Sequence, residues 1–126
     1  SHHLTAQEYT ICIRYETNFC SVCYDQCDPE PSMMSFSVGS FSGLGSDNNV
    51  VDSTACGSDF LYIPCAQKTI GSASICLLYR FCGGTLAASP KTTTLPGPVC
   101  SSVKPFQILV VFQSNTVRGA GFCLNY

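Results

Sequence analysis

The most constraining stretch of this chain is Phe106-Gln-Ile-Leu-Val-Val-Phe112, its longest strongly apolar run. The run is dominated by β-formers. Its length suits a strand and is too short for a buried helix or a membrane span. An apolar strand without polar alternation must be covered on both faces or lie in the middle of a sandwich. Gln113-Ser-Asn-Thr116 breaks the run, and Gly119-Ala-Gly121 leads into a second short strand, Phe122 to Tyr126. Strand, glycine-bearing polar loop and strand predict a hairpin-like pairing of the two. The rest of the chain has to supply the cover.

Read from its start, the chain offers several short candidates for that role. Tyr9-Thr-Ile-Cys-Ile-Arg-Tyr15 alternates β-branched and aromatic residues and predicts a strand; Glu16-Thr-Asn is a turn, and Phe19 to Tyr24 returns as its antiparallel partner. Asp25 to Pro31 ends that strand with prolines and acids. Met33 to Phe41 sets Met34, Phe36 and Val38 among serines, a half-buried strand pattern. Gly43 to Ser53 reads as a polar loop, Asp59 to Ile63 as a strand stopped by Pro64, and Ile75 to Phe81 as a strand broken at Gly83-Gly84. Residues 66–75 read as loop, and Thr85 to Pro98 is Ser/Thr/Pro-rich and irregular. Nowhere does a capped helical period persist. About six or seven short strands joined by turns predict an all-β sandwich, formed as a single domain over 1–126 without an internal repeat.

Cysteine usage says where such a chain folds. There are ten: Cys12, Cys20, Cys23, Cys27, Cys56, Cys65, Cys76, Cys82, Cys100 and Cys123. An even count in a chain poor in charge and rich in Ser, Thr and Gly predicts a disulfide scaffold in an oxidising, extracellular setting. Cys65 and Cys76 flank a short loop, and a bridge between them would contribute about 3 kcal/mol by the loop-entropy model. Cys12 and Cys23 fall nearly opposite each other if Glu16–Phe19 is the turn, while Cys20, Cys27, Cys100 and Cys123 allow several pairings. The spacing Cys20-x2-Cys23-x3-Cys27 has the look of a metal knuckle, but disulfides are the stronger reading among so many cysteines.

Charge excludes other functions. The six basic residues are scattered and the net charge is −2, so no field gathers a phosphate backbone or an anionic membrane. Residues 1–15 hold no apolar signal core, and no run is long enough to span a membrane. The only histidines are His2 and His3, at an end expected to fray, which argues against a histidine-based nucleophilic site. No carboxylate spacing recommends glycoside cleavage, and no cofactor is expected. Asp25, Asp28 and Glu30 cluster, most simply as a solvated turn. The six tyrosines and eight phenylalanines read mainly as core, with one or two left for a lectin-like surface.

Cys56-Gly-Ser-Asp59-Phe-Leu-Tyr-Ile63, followed by Arg80-Phe-Cys82-Gly83, resembles the centre of a CUB domain, and Pro105 to Tyr126 resembles the last two strands of that family. The start, from His3 to Tyr24, resembles the CUB-like domains of secreted arthropod proteins with their extra cysteines. The resemblance covers most of 3–126, less well in 27–55 and 66–99. It implies an antiparallel jelly-roll sandwich and a Cys56–Cys82 bridge. It also implies a calcium site of one glutamate and two aspartates. Asp59 matches one of these, whereas Ser40 to Leu44 supplies no acid and Asn115 stands where the second aspartate is expected, so Asp59 is a weak calcium candidate and no metal is favoured. Against the family pattern, the chain lacks the first strands. This implies that the chain was processed, that the sequence is incomplete, or that another chain fills the gap, and a sandwich missing an edge strand is open to strand addition.

The expected function is that of a secreted, non-enzymatic CUB-like module. It would act in extracellular protein–protein interaction or assembly, through surface loops or by edge-strand pairing with a protein partner or its own copies. The alternatives are a carbohydrate-binding or structural matrix protein, and an accessory domain released from a larger secreted enzyme.

Overall fold

The apolar run becomes a strand lying one place in from the edge of a five-stranded sheet. The computed structural model describes residues 5–27, 35–39, 49–51, 56–67, 78–88, 96–114 and 119–126. They form β1 (Gln7–Cys12), β2 (Val22–Gln26), β3 (Phe36–Ser37), β4 (Asn49–Val51), β5 (Asp59–Ala66), β6 (Leu78–Gly83), β7 (Val99–Ser101), β8 (Gln107–Phe112), β9 (Gly121–Phe122) and β10 (Leu124–Asn125). No described residue is helical. Every pairing is antiparallel, as expected of an all-β CUB-like sandwich.

The large sheet has the order β1-β8-β5-β6-β4. Its register places Tyr9, Val110 and Leu61 side by side, with Ile11 beside Ile108 and Leu61 beside Phe81. Since side chains alternate across a strand, these residues share the inner face. There Leu61, Ile63, Phe81, Ile108, Val110 and Phe112 are buried. The outer face of β8 is covered laterally: Val111 and Leu109 stand beside Phe60 and Tyr62 of β5. The Arg80 guanidinium lies 4.4 Å from the centre of the Phe60 ring.

The second layer is smaller. β2 pairs with β7 on one side and with β10 on the other, while β3 pairs with β9. Cys123 ties these pieces together, for its N–H donates to the Ser35 carbonyl (2.7 Å) and its carbonyl accepts from the Cys27 N–H (3.0 Å). In an extended strand the N–H and C=O of one residue point to the same side. Thus β2 and β3 flank 121–125 along one side, like a single strand interrupted between them. Tyr24, Phe36 and Val99 of this layer complete the core, together with Val38, which exchanges backbone hydrogen bonds with Gly83 of β6.

Several local expectations are corrected. Phe19–Tyr24 does not return as the partner of Tyr9–Tyr15; the Glu16–Phe19 turn, with Asn18 at φ 81°, carries the chain from the large sheet to the small one. Likewise β8 and β9–β10 form no hairpin and lie in different layers. Pro64 does not stop β5: the strand shifts register between Tyr62 and Ala66, with Cys65 at φ 49°. An irregularity of this kind accommodates a residue without an N–H. Asn49–Val51, read as loop, forms β4 against β6. The short strand β7, within a poorly marked stretch, is also new.

Gly119 sets the approach of the last strand. It has φ +84°, and a Cβ there would stand 2.2 Å from the Ser37 carbonyl oxygen. Gly119→Ala is therefore expected to destabilise the domain by about 2 kcal/mol or more. Denaturant unfolding checks this, and an unchanged midpoint would show that the β3–β9 contact yields freely.

Candidate functional site

The sandwich is closed along one side and open along the other. On the closed side, β5 regains its pairing with β6 past the kink, Ala66 beside Leu78, and the next residue, Gln67, exchanges backbone hydrogen bonds of 2.8 Å each way with Cys100. Ser101 Oγ donates to the Pro64 carbonyl at the same seam. The Cys23–Cys100 disulfide, with Cα atoms 3.9 Å apart, then fastens β2 to β7.

On the opposite side β1 and the terminal strand stand apart, with grooves between them. One, of about 440 Å³, is lined by Gln7, Tyr9 and Ile11 of β1 and by Phe112 and Ala120–Phe122. The other, of about 700 Å³, lies beside Ile13, Tyr15, Phe19, Val22, Phe106 and Tyr126. Tyr9, Tyr15, Phe19 and Tyr126 are 45, 41, 57 and 78% exposed. Tyr15 packs against Phe106 with ring centres 4.8 Å apart, and the Lys104 ammonium lies 5.0 Å from the Tyr15 ring centre. Arg14, Glu16 and Asp25 rim the larger groove, mixing both signs of charge. An open, ring-lined surface with a polar rim has the makeup of a recognition site. The sequence does not mark it. Tyr9, Ile11, Ile13 and Tyr15 alternate as an inward face should; Ile11 and Ile13 are half-buried against the core, whereas Tyr9 and Tyr15 are exposed, with no described strand lying over them.

The cysteines sort into two kinds. Disulfides join Cys23 to Cys100, Cys27 to Cys123 and Cys56 to Cys82. Cys65 is also disulfide-bonded, and Cys76 lies outside the described residues. Cys12 and Cys20 are free and exposed, which corrects their assignment to disulfides. Cys12 is not opposite Cys23 because β1 and β2 belong to different sheets. The Cys20 thiol instead points to the Asn18 carbonyl, at 3.6 Å.

Asp59 is buried, and its Oδ1 accepts a 2.9 Å hydrogen bond from the Ser114 N–H, so it fastens the end of β8 to the start of β5. Among the described residues no three His, Cys, Asp or Glu side chains gather in a metal-binding group. The described residues therefore do not fit a carboxylate calcium site. Ser40 to Leu44, Asn115, Asp28, Glu30, His2 and His3 lie outside them; Asp25 is exposed.

Tyr24 is the one strongly perturbed titratable group among the described residues. Burial pushes its phenol up to about 12, and its hydroxyl finds no hydrogen-bond partner among them.

These features define a disulfide-stapled antiparallel sandwich of extracellular type, with exposed aromatic rings along its open side. The family model of the animal CUB domain matches residues 1–126, and the chain belongs to that family. No curated protein matches the chain, and no solved structure does. CUB domains and structural disulfides are typical of extracellular proteins, and CUB domains in general mediate protein interactions. No helix among the described residues is long and apolar enough to cross a membrane.

Alkylation of the native protein without reductant, followed by peptide mapping, is expected to label Cys12 and Cys20 and to spare Cys23, Cys27, Cys56, Cys82, Cys100 and Cys123. Protection of both would mean that they are joined to each other or to another molecule. Tyr24 gives a pH test. Its folded pKa lies above the ordinary phenol value of 10.0, so the unfolded chain releases the proton first. The associated stability is complete below pH 10 and falls as pH rises from there past 12. Tyr24→Phe should remove that alkaline decline with little loss at neutral pH, since the hydroxyl is unbonded. Unfolding curves over rising pH measure both, and an equally steep decline in the variant would reject the assignment.

Proposed function

We propose that this domain is a secreted, non-enzymatic recognition and assembly module that engages a protein partner on the open side of its sandwich. The observation that carries this reading is the placement of Tyr9, Tyr15, Phe19 and Tyr126, four rings well exposed beside two adjoining grooves. Rings of this kind bury large area at low conformational cost and often anchor interfaces. The low charge of the chain favours close, neutral packing over steered encounter. A non-catalytic role is supported by the sequence, whose only histidines are His2 and His3, so the commonest base for nucleophilic chemistry is scarce.

A carbohydrate ligand is the second reading. Phe19 and Tyr126 are the most exposed large apolar side chains among those described, and polar groups border them, as stacking on a sugar face requires. Binding to a glycan array that persists at high salt would favour it over a protein partner.

The partner site is testable through Lys104, whose ammonium sits over Tyr15. Amine-reactive cross-linking of the native secreted material is expected to join a partner through Lys104. Phe19→Ser combined with Tyr126→Ser should abolish that cross-link while leaving the unfolding midpoint within about 0.5 kcal/mol of the parent. Partner cross-links confined to Lys68 or Lys91, unaffected by the double substitution, would place recognition elsewhere.

A further inference from the structure

The two grooves are successive stretches of one trough. A single wall lines them in order, Gln7, Tyr9 and Ile11 the first and Ile13 to Glu16 the second; residues 120–122 and then Tyr126 lie across from them. Tyr9 and Ile11 belong to the inner face of the large sheet, since Val110 and Ile108 stand beside them in register and both are buried. Yet Tyr9 is 45% exposed. The large sheet therefore runs on past the small one, and β1 forms a ledge whose inner face is half-buried at Ile11 and exposed at Tyr9.

The wall above this ledge is a sheet edge. Cys123 directs its N–H and C=O toward β2 and β3, so the neighbouring residues Phe122 and Leu124 direct theirs the opposite way. On that side no described strand pairs with β9 or β10. A row of backbone donors and acceptors above an apolar floor is met by one kind of ligand, an extended peptide. Its own backbone completes the ladder, and its alternate side chains reach the floor. A small apolar molecule would leave the ladder unsatisfied, at a cost for each buried group.

The same geometry excludes a second copy joined edge to edge. Antiparallel pairing of two β9–β10 edges relates the copies by a two-fold axis perpendicular to the sheet. That would bring both β1 ledges, which lie in the same layer, into the same space. The occupant must be a lone segment without a second layer of its own.

From these features we infer that the trough takes an extended segment of a partner protein, apolar at alternate positions, which adds to the outer edge of Gly121–Asn125 as a further strand of the small sheet. The inference rests on the reading of the open side as the recognition surface, and it names the partner's chemistry. About six residues, roughly 20 Å of extended chain, span the edge. Side chains on one face of the segment settle against Tyr9, Ile11 and Phe122, and those on the other face meet solvent.

The test is selection of a phage-displayed random peptide library on the disulfide-intact protein, followed by amide hydrogen exchange with the selected peptides. Enriched sequences are expected to carry apolar residues at every second position and to slow exchange at the Phe122 and Leu124 amides by about tenfold or more. Tyr9→Asp, on the exposed ledge, should weaken binding by about tenfold or more with the fold retained; alkylation of the selected peptides' alternate backbone nitrogens should abolish it. Several results would overturn the inference. Protection of other amides, or no enrichment at all, would reject strand addition. In either case, partner cross-links at Lys104 would show that the wider reading survives, and their absence that it fails too. Slow exchange of Phe122 and Leu124 in the free protein would mean that the edge is already paired, which also rejects it.

Discussion

The structure depends on a seam. Gln67 and Cys100 bond each other's backbones, and Cys100 is also bridged to Cys23, so β5, β7 and β2 are joined in sequence across two layers. The seam lies just past the irregularity of β5 at Pro64 and Cys65, where Ala66 still pairs with Leu78 of β6. Cys65 has a positive φ, Gln67 meets β7 directly after the Ala66–Leu78 pair, and Ser101 Oγ bonds the Pro64 carbonyl there. Backbone groups beside a bulge need such partners, because unpaired ones are costly once buried.

Closing one side of a sandwich does not close the other. The core lies under β8, β5 and β6, where Leu61, Phe81 and Val110 are packed out of solvent. Toward β1 the cover thins, and the inner face becomes a row of half-exposed and exposed side chains. Aromatic rings suit this position, since their bodies pack on the core margin while their edges remain available to a partner. Tyr15 shows both roles, stacking on Phe106 and remaining substantially exposed. The disulfides reinforce the same asymmetry. Cys23–Cys100 and Cys27–Cys123 bind the small layer to itself, and neither crosses to β1.

Much of the fold was legible in the residues themselves. An apolar β-forming run as long as Phe106–Phe112 leaves few alternatives to a buried strand, and the alternation of Phe36 and Val38 with small polar residues identifies an inward face. Those are local signals, carried by side-chain polarity and period. Pairing was less legible. Neighbours in sequence, such as Tyr9–Tyr15 and Phe19–Tyr24, suggested a hairpin because short connections usually join adjacent strands. Nothing local reveals that the Glu16–Phe19 turn crosses between layers.

The cysteines divide along the same line. Their number and the sparse charge determine an oxidised, disulfide-stapled β domain, because these are properties of composition. Which thiols meet depends on register between strands far apart in the chain. Cys27 reaches Cys123 across a separation of 96 residues, whereas Cys12 and Cys20, close in sequence, remain free. Sequence alone thus determined the class of fold, the buried strand and the redox setting. Only the tertiary structure decided which layers the strands joined and which aromatics stayed exposed, because exposure depends on whether another strand lies opposite and no residue encodes its neighbour's absence.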